Sequence, residues 1–496
     1  MTLTELKAKI TPLLQKGWIL IPLILIIGAE FILFRANYLY AWVFMVGLAF
    51  GAIALLNVKY IWWLGIILMP FSQNFEEFGT AFALTVPSDL VAITLWGYFL
   101  LQFFIHWKKY IPLLRHPILI IFGLYLAWML VCTFTSSMPV ISLKYFLSMF
   151  WYGTAFLWGS VIFFENKVIL RNWIFPVSLS LLIVVGYTIY FHGLEGFSLR
   201  SSYHVMQPFY KEHTAYATSI TLLFAYFVIY LIYDRFSKIK TIYWLMVSLL
   251  TGIGILTIYT RGAWLGVLGA GAVFGMILIW ERYRKTAIAF IGLITIAGIW
   301  FIQKSLTFDT DSDKKMGIQE RLFSAFNTKH DLSNMERINR WVAAVNMIKE
   351  SPVYGFGPGT YAMQYAPYQQ SNFRTRVSTN LGNLGTTHNE FLLAGSEMGI
   401  PGMLMVMALY VISLFCGIRG YFQHSERSNR WLYLPATLGL ITYYLHAVVN
   451  NYLDQDKVAI PVFLCLAQII ALDVYNQPKS HPHPATPENP SDIEPA

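Results

Sequence analysis

The chemistry-bearing residues of this 496-residue chain are sparse, and their positions stand out for that reason. His388 lies in the stretch TTHNEFLLAGSEMGIPG, residues 386–402, at the end of the one long polar interval. Thr387 and Glu390 stand at the spacing of a capping box, which predicts a helix with Thr387 as N-cap and Glu390 at its third position. His388 then falls in the first turn. The partial positive charge of a helix N-terminus disfavours imidazolium and lowers a histidine pKa. A neutral histidine can accept a proton, as a general base must. The bland alternative is a histidine that only decorates a loop–helix junction. Glu390 reads first as the capping residue and second as a carboxylate orienting the base.

Cations form the second group. Arg261 sits in the tight turn IYTRGAWLG between two apolar runs, and Arg200 and Lys211 sit in the loop between Tyr190 and Thr214. An arginine held near membrane depth is costly and is a functional candidate; the competing reading is snorkelling to the interface. In the polar interval, Ile338, Trp341, Val342, Val345 and Ile348 repeat at helical spacing from about residue 336 to 350. That spacing predicts an apolar face with Arg337 at its edge and Arg340 turned toward solvent. The glycines of PVYGFGPGTY, at 355, 357 and 359, lack the lysine and Ser/Thr of a phosphate loop and read as architecture.

These residues are positioned by a membrane protein. The chain is 56% hydrophobic and only 12% charged, with mean hydropathy +0.54, whereas soluble domains are about a quarter charged. A span needs roughly 20 apolar residues, and about fourteen candidate runs begin near Trp18, Tyr38, Ile61, Ser88, Pro117, Ile141, Trp173, Thr214, Ile242, Ala263, Thr286, Ile400, Leu432 and Val458. The run at Ile61 is short, ends at Pro70 and reads as a half-helix or re-entrant piece. The first run lacks a small-residue cleavage site and reads as a retained anchor. Lysines and arginines concentrate in alternate short loops, such as Lys108, Lys109 and Arg115 or Arg282, Arg284 and Lys285. By the positive-inside rule both termini are cytoplasmic and the long loop is outside. The net charge of +9 follows from that placement, so no nucleic-acid partner is expected. The expected organisation is an N-terminal membrane bundle over 1–303, a periplasmic loop region over 304–389, C-terminal membrane helices over 390–476, and a disordered cytoplasmic tail over 477–496.

Metal-like patterns are weak. DTDSDKKMGIQE places Asp309, Asp311, Asp313 and Glu320 near calcium-loop spacing, but Lys314 stands where the sharp turn wants glycine. Read as a nucleotide-sugar motif, the same acids would sit on the wrong side of the membrane. His481 and His483 lie in the proline-rich tail. Cys132, Cys416 and Cys465 all lie inside apolar runs and form no CxxC.

The combination resembles the O-antigen ligase and polymerase family of bacterial envelope glycosyltransferases. It rests on Tyr259-Thr260-Arg261-Gly262-Ala263-Trp264, on Arg337-x-x-x-Trp341 followed by Pro352 and the three glycines, and on His388-Asn389-Glu390-Phe391-Leu392 running to Gly399-Ile400-Pro401-Gly402. The resemblance covers roughly residues 180 to 420. It implies an all-α integral membrane protein with about 12–14 transmembrane helices, similar to the C-type glycosyltransferase fold, with one large, partly helical periplasmic loop. It also implies inverting, metal- and cofactor-independent transfer of a glycan from undecaprenyl diphosphate to a hydroxyl acceptor, such as lipid A–core, on the periplasmic face of the bacterial inner membrane. His388 takes the place of the base, and Arg261, Arg200 and Arg337, with Lys211 nearby, would hold the diphosphate. The residues after Arg200, SSYHVMQPFYKEH, depart from the family's glycine and Pro-Asn pattern. The alternatives are a repeat-unit polymerase or a protein O-oligosaccharyltransferase of the same chemistry and, from another class, a lipid-linked glycan transporter.

Overall fold

The computed structural model describes residues 57–75, 84–234, 237–283, 332–371, 374, 378, 385–423 and 427–475. The runs near Trp18, Tyr38 and Thr286, the Asp309–Glu320 pattern and the histidine-bearing tail lie outside the described residues. What is described is an all-α integral membrane protein.

Nine helices among the described residues are long and apolar enough to cross a membrane. They are α1 (Ser88–Leu114), α2 (Pro117–Phe134), α3 (Pro139–Phe163), α4 (Lys167–Leu194), α5 (His213–Tyr233), α6 (Lys238–Thr257), α7 (Arg261–Arg282), α9 (Glu390–Gln423) and α11 (Asp456–Tyr475). Between these in sequence stand α8 (Leu332–Glu350) and the shorter α10 (Tyr433–Ala447). The run at Ile61 forms a helix over 57–68 that ends in a 3-10 turn, Met69–Phe71, with Pro70 in that turn. A small antiparallel hairpin follows: β1 (Gln73–Phe75) pairs with β2 (Leu84–Val86), Gln73 opposite Val86. It has only three residues per strand, too few to leave an alternating pattern in the sequence.

The helices divide into core and periphery. In α11, 83% of the spanning window is buried, and in α5 78%, against 28% in α1 and α7. α10 is buried along its length and packs on α5, α7 and α9. The peripheral helices expose large apolar side chains, such as Phe104, Phe134 and Ile239, as surfaces facing lipid do. The core tolerates polar groups where they are paired. Gln468 accepts from Trp173 Nε1 at 2.9 Å and donates to the Leu432 carbonyl at 2.7 Å.

α9 is kinked. Gly399, at φ 69°, breaks its regular backbone one residue before Ile400-Pro401. A side chain at 399 would run into the Val353 carbonyl at 2.1 Å, so glycine is required on two grounds. The kink turns Glu397 toward the glycine loop after α8. Its carboxylate accepts from the Gly359 and Tyr361 amides at 2.9 and 3.0 Å, and its carbonyl accepts from the Gly357 amide at 2.8 Å. Gly355, Gly357 and Gly359 all have positive φ. The loop is architecture, as its sequence suggests, and it clamps α8 onto α9.

Candidate active site

α9 begins at Glu390, later than the capping-box spacing predicts. His388 has φ 51°, a left-handed conformation no helical residue adopts. Asn389 therefore caps the helix, its Oδ1 accepting from the Leu392 amide at 2.9 Å. Thr387 bonds to Asn389 instead, accepting from its amide at 3.2 Å and donating to its carbonyl at 2.8 Å. Glu390 caps nothing at this terminus and does not reach His388. It accepts from Tyr443 Oη at 3.1 Å and the Tyr452 amide at 3.2 Å. These partners lie more than 50 residues away in sequence, where no local pattern could reveal them.

His388 is held from both sides. Arg340 Nη1 donates to its Nε2 at 2.9 Å, and Asn450 Oδ1 lies 3.1 Å from its Nδ1. A guanidinium has no acceptor, so Nε2 is the unprotonated nitrogen and Nδ1–H donates to Asn450. Burial, more than any other cause, pushes the histidine pKa down to about 4, with the Arg340 and Arg337 charges adding to it. The downward direction is the one the sequence leads one to expect, but its main cause is desolvation, followed by the neighbouring cations.

Arg340 reverses the expectation from the helical pattern. Its Nε donates to Glu336 Oε1 at 3.0 Å and its Nη1 also donates to the Thr386 carbonyl at 3.1 Å. Its own carbonyl accepts from Tyr361 Oη at 2.8 Å. The buried side of α8 carries Asn339, Ala343, Ala344 and Met347, while Val345 is 38% exposed. Small residues there allow close packing against Leu393 of α9 and Tyr361 and Tyr365. Met347 and Ile348 complete that side, Ile348 lying against Gly395 of α9, and Arg340 faces inward beside them.

The other cations are placed as follows. Arg337 donates to Asn334 at 3.1 Å, and its charge acts on His388, His213, His446 and Tyr452. Arg261 is the first residue of α7, after a connection over 258–260 in which Tyr259 is left-handed. A side chain at Gly262 would meet His446 Nε2 at 3.2 Å, so the Arg261 turn and Arg337 converge on the same histidine. Beside Arg261, the buried Thr260 hydroxyl has no partner among the described residues. Arg200 is exposed, on a loop that Tyr259 grips by donating to the Phe197 carbonyl at 2.9 Å. Lys211 follows Arg200 in the same loop. It lines a cavity of about 450 Å³ to which neither His388 nor the three arginines contribute.

Arg340, Asn450 and the caps at Asn389 were not singled out in the sequence. Two signals were there: the i,i+4 pair Glu336–Arg340, and the doublet Asn450-Asn451 between two apolar runs. Thr386 donates to Asn451 as well.

His116, Cys416 and Asp473 form a cluster with metal-like composition away from these residues. His116 Nδ1 accepts from the Ile118 amide at 3.3 Å, its Nε2 faces Asp473 at 3.2 Å, and Tyr433 donates to Asp473 at 2.6 Å. That network ties α2, α10 and α11 together.

Fold and site define an all-α, multi-pass membrane protein in which α7, α8 and the segments flanking α9 and α10 carry the histidine, its partners and the cations around it. Residues 245–407 match the family model described as O-Antigen ligase, a stretch holding Arg261, Arg337, Arg340 and His388 but not Arg200, Lys211 or Asn450. The matched stretch falls on the same motifs that carry the resemblance to this family in the sequence. A Haemophilus influenzae protein described only as uncharacterized is 26% identical over 204 residues, which cover 38% of this chain and 45% of that protein. The chain therefore spans less than half the length of this relative.

Proposed function

We propose that the chain transfers a glycan from undecaprenyl diphosphate to a hydroxyl acceptor, with lipid A–core as the first candidate, at the periplasmic face of the inner membrane. The observation that carries this reading is the contact of neutral His388 Nε2 with Arg340. The acceptor hydroxyl displaces Arg340 from Nε2 and takes its place there. Its oxygen attacks the anomeric carbon, the anomeric C–O bond breaks with inversion, and the bonding electron pair leaves on undecaprenyl diphosphate. The hydroxyl proton passes to Nε2 late in the step, and Asn450 stabilises the tautomer that receives it. The leaving diphosphate gains negative charge and needs no protonation, so paired carboxylates are not required. Arg261 and Arg337 stabilise that charge in a water-poor setting, with Arg200 at the exposed edge, while Arg340 stays tied to Glu336 and the Thr386 carbonyl.

The test is transfer by purified protein given the carrier-linked glycan, with lipid A–core supplied or omitted. Transfer onto lipid A–core only when it is supplied supports the ligase. Lengthening of the carrier-linked glycan without it identifies a polymerase. Intact substrates with active controls overturn the transferase reading.

A further inference from the structure

The cavity that contains Lys211 has no role in the step just described. It lies between the Gln73–Val86 hairpin, α1, α3, the start of α5 and the residues that lead into α11. At about 450 Å³ it falls within the size range of small-ligand sites, roughly 300–1,000 Å³.

Its lining argues for an uncharged, hydroxyl-rich ligand. Lysines 144, 211 and 457 face carboxylates 89, 212, 454 and 456, so the charges nearly cancel and neither a strong anion nor a strong cation is selected. Several of these groups are fixed in advance. Asp89 accepts from Tyr152 Oη at 2.8 Å and from the Thr85 amide at 2.6 Å, and Asp456 accepts from Ser72. Lys457 Nζ sits 4.7 Å from the centre of the Tyr210 ring. A carboxylate has about four acceptor sites, so each retains capacity for a ligand hydroxyl. Lys144 makes no hydrogen bond or ion pair among the described residues, although the Asp89 charge acts on it. Fixed acceptors and an ammonium donor together match the hydroxyls of a sugar.

One chain segment joins this cavity to His388. Asn450 holds the imidazole, the Tyr452 amide bonds to Glu390 at 3.2 Å, and residues 453–457 form the cavity wall. Consecutive Cα atoms are 3.8 Å apart, so 450 and 453 lie within about 11 Å of each other. A short oligosaccharide spans that distance.

We propose that this cavity is a glycan subsite, holding sugars of the donor or of the acceptor beyond the reacting residue. The inference rests on the proposed transferase reading. It is tested by measuring affinities of the full-length protein in lipid nanodiscs for two pairs of probes. One pair is undecaprenyl diphosphate with and without its oligosaccharide, and the other is lipid A with and without its core sugars.

The wild-type protein should prefer the glycosylated member of one pair, and which pair it is tells donor from acceptor. Ser148→Trp, which fills the cavity, should abolish that preference. Lys144→Met, which adds no bulk, should weaken glycosylated-probe binding about tenfold or more, as loss of a charged hydrogen bond does. Both should leave the glycan-free affinity unchanged. A preference that survives in both variants, or no preference in the wild type, overturns the subsite. Failure of the wild type to bind even undecaprenyl diphosphate overturns the transferase reading itself, and the subsite with it.

Discussion

The His388 cluster and the Arg200–Arg261 edge use arginine in opposite ways. Arg340 is tied to Glu336, to the Thr386 carbonyl and to His388, inside the protein. Arg200 is exposed and belongs to no ion pair among the described residues, on a loop fastened to the Arg261 turn. A buried network with its partners already in place keeps the imidazole neutral and oriented before the acceptor enters. An exposed cation is screened and gains most when a ligand excludes water around it. On the proposed mechanism the contrast is a division of labour: the closed cluster would set the state of the proton acceptor, and the open edge would receive the charge of the substrate.

The most severe break in that division is at His388 itself. His388→Asn keeps a side chain that tolerates left-handed backbone, so the melting temperature should hold. Transfer should fall by about 10²–10⁴, the usual worth of a positioned base. Full turnover by a folded His388→Asn protein would remove the base assignment. Next in size is Arg261→Lys. It keeps the charge but replaces a planar fork by a point, and transfer should drop about ten- to a hundredfold. An unchanged rate would leave Arg261 as an interfacial anchor and blur the edge as a functional region.

The two regions were also unequally legible. Spanning helices could be read because lipid demands long apolar runs, whatever the tertiary contacts. The Arg261 turn could be read because a charge between two such runs is conspicuous. His388 was visible as a residue but not as a geometry. The capping-box spacing of Thr387 and Glu390 pointed to an early helix start, yet Glu390 is drawn to Tyr443 and Tyr452 and His388 turns left-handed. The helical pattern turns Arg340 toward solvent, on the premise that large apolar residues mark the buried side of α8. In this helix Asn339, Ala343 and Ala344 make the close contact, since small side chains permit it and the Glu336–Arg340 pair needs long-range partners. Loop position alone groups Lys211 with the arginines, and the fold puts it on the wall of a cavity that none of them lines.

A smaller effect is expected at Arg200. An exposed cation that helps collect the diphosphate should act on capture, so Arg200→Ala should raise KM for the carrier-linked donor several-fold and leave kcat nearly intact. The wild-type KM should also rise with salt, and that dependence should shrink in Arg200→Ala. A fall in kcat with KM unchanged would move Arg200 into the closed cluster's role.

The smallest effect, and the sharpest on mechanism, is the pH profile. Burial and then the Arg340 and Arg337 charges lower the His388 pKa to about 4, against about 6.5 for an unperturbed imidazole. Protons therefore bind the unfolded chain more readily than the folded one. His388 contributes no pH dependence of stability well above 6.5, and its burial becomes destabilising as pH falls from there toward 4. In the folded enzyme the base stays neutral over that same interval, so kcat/KM should hold until its acid limb near 4. Arg340→Met removes the nearest guanidinium and should move the limb upward, though not all the way, because burial is the largest cause and remains. A wild-type limb near 6.5 would mean that the imidazole in working enzyme is neither desolvated nor facing a cation, and the closed cluster would not be the state from which reaction starts.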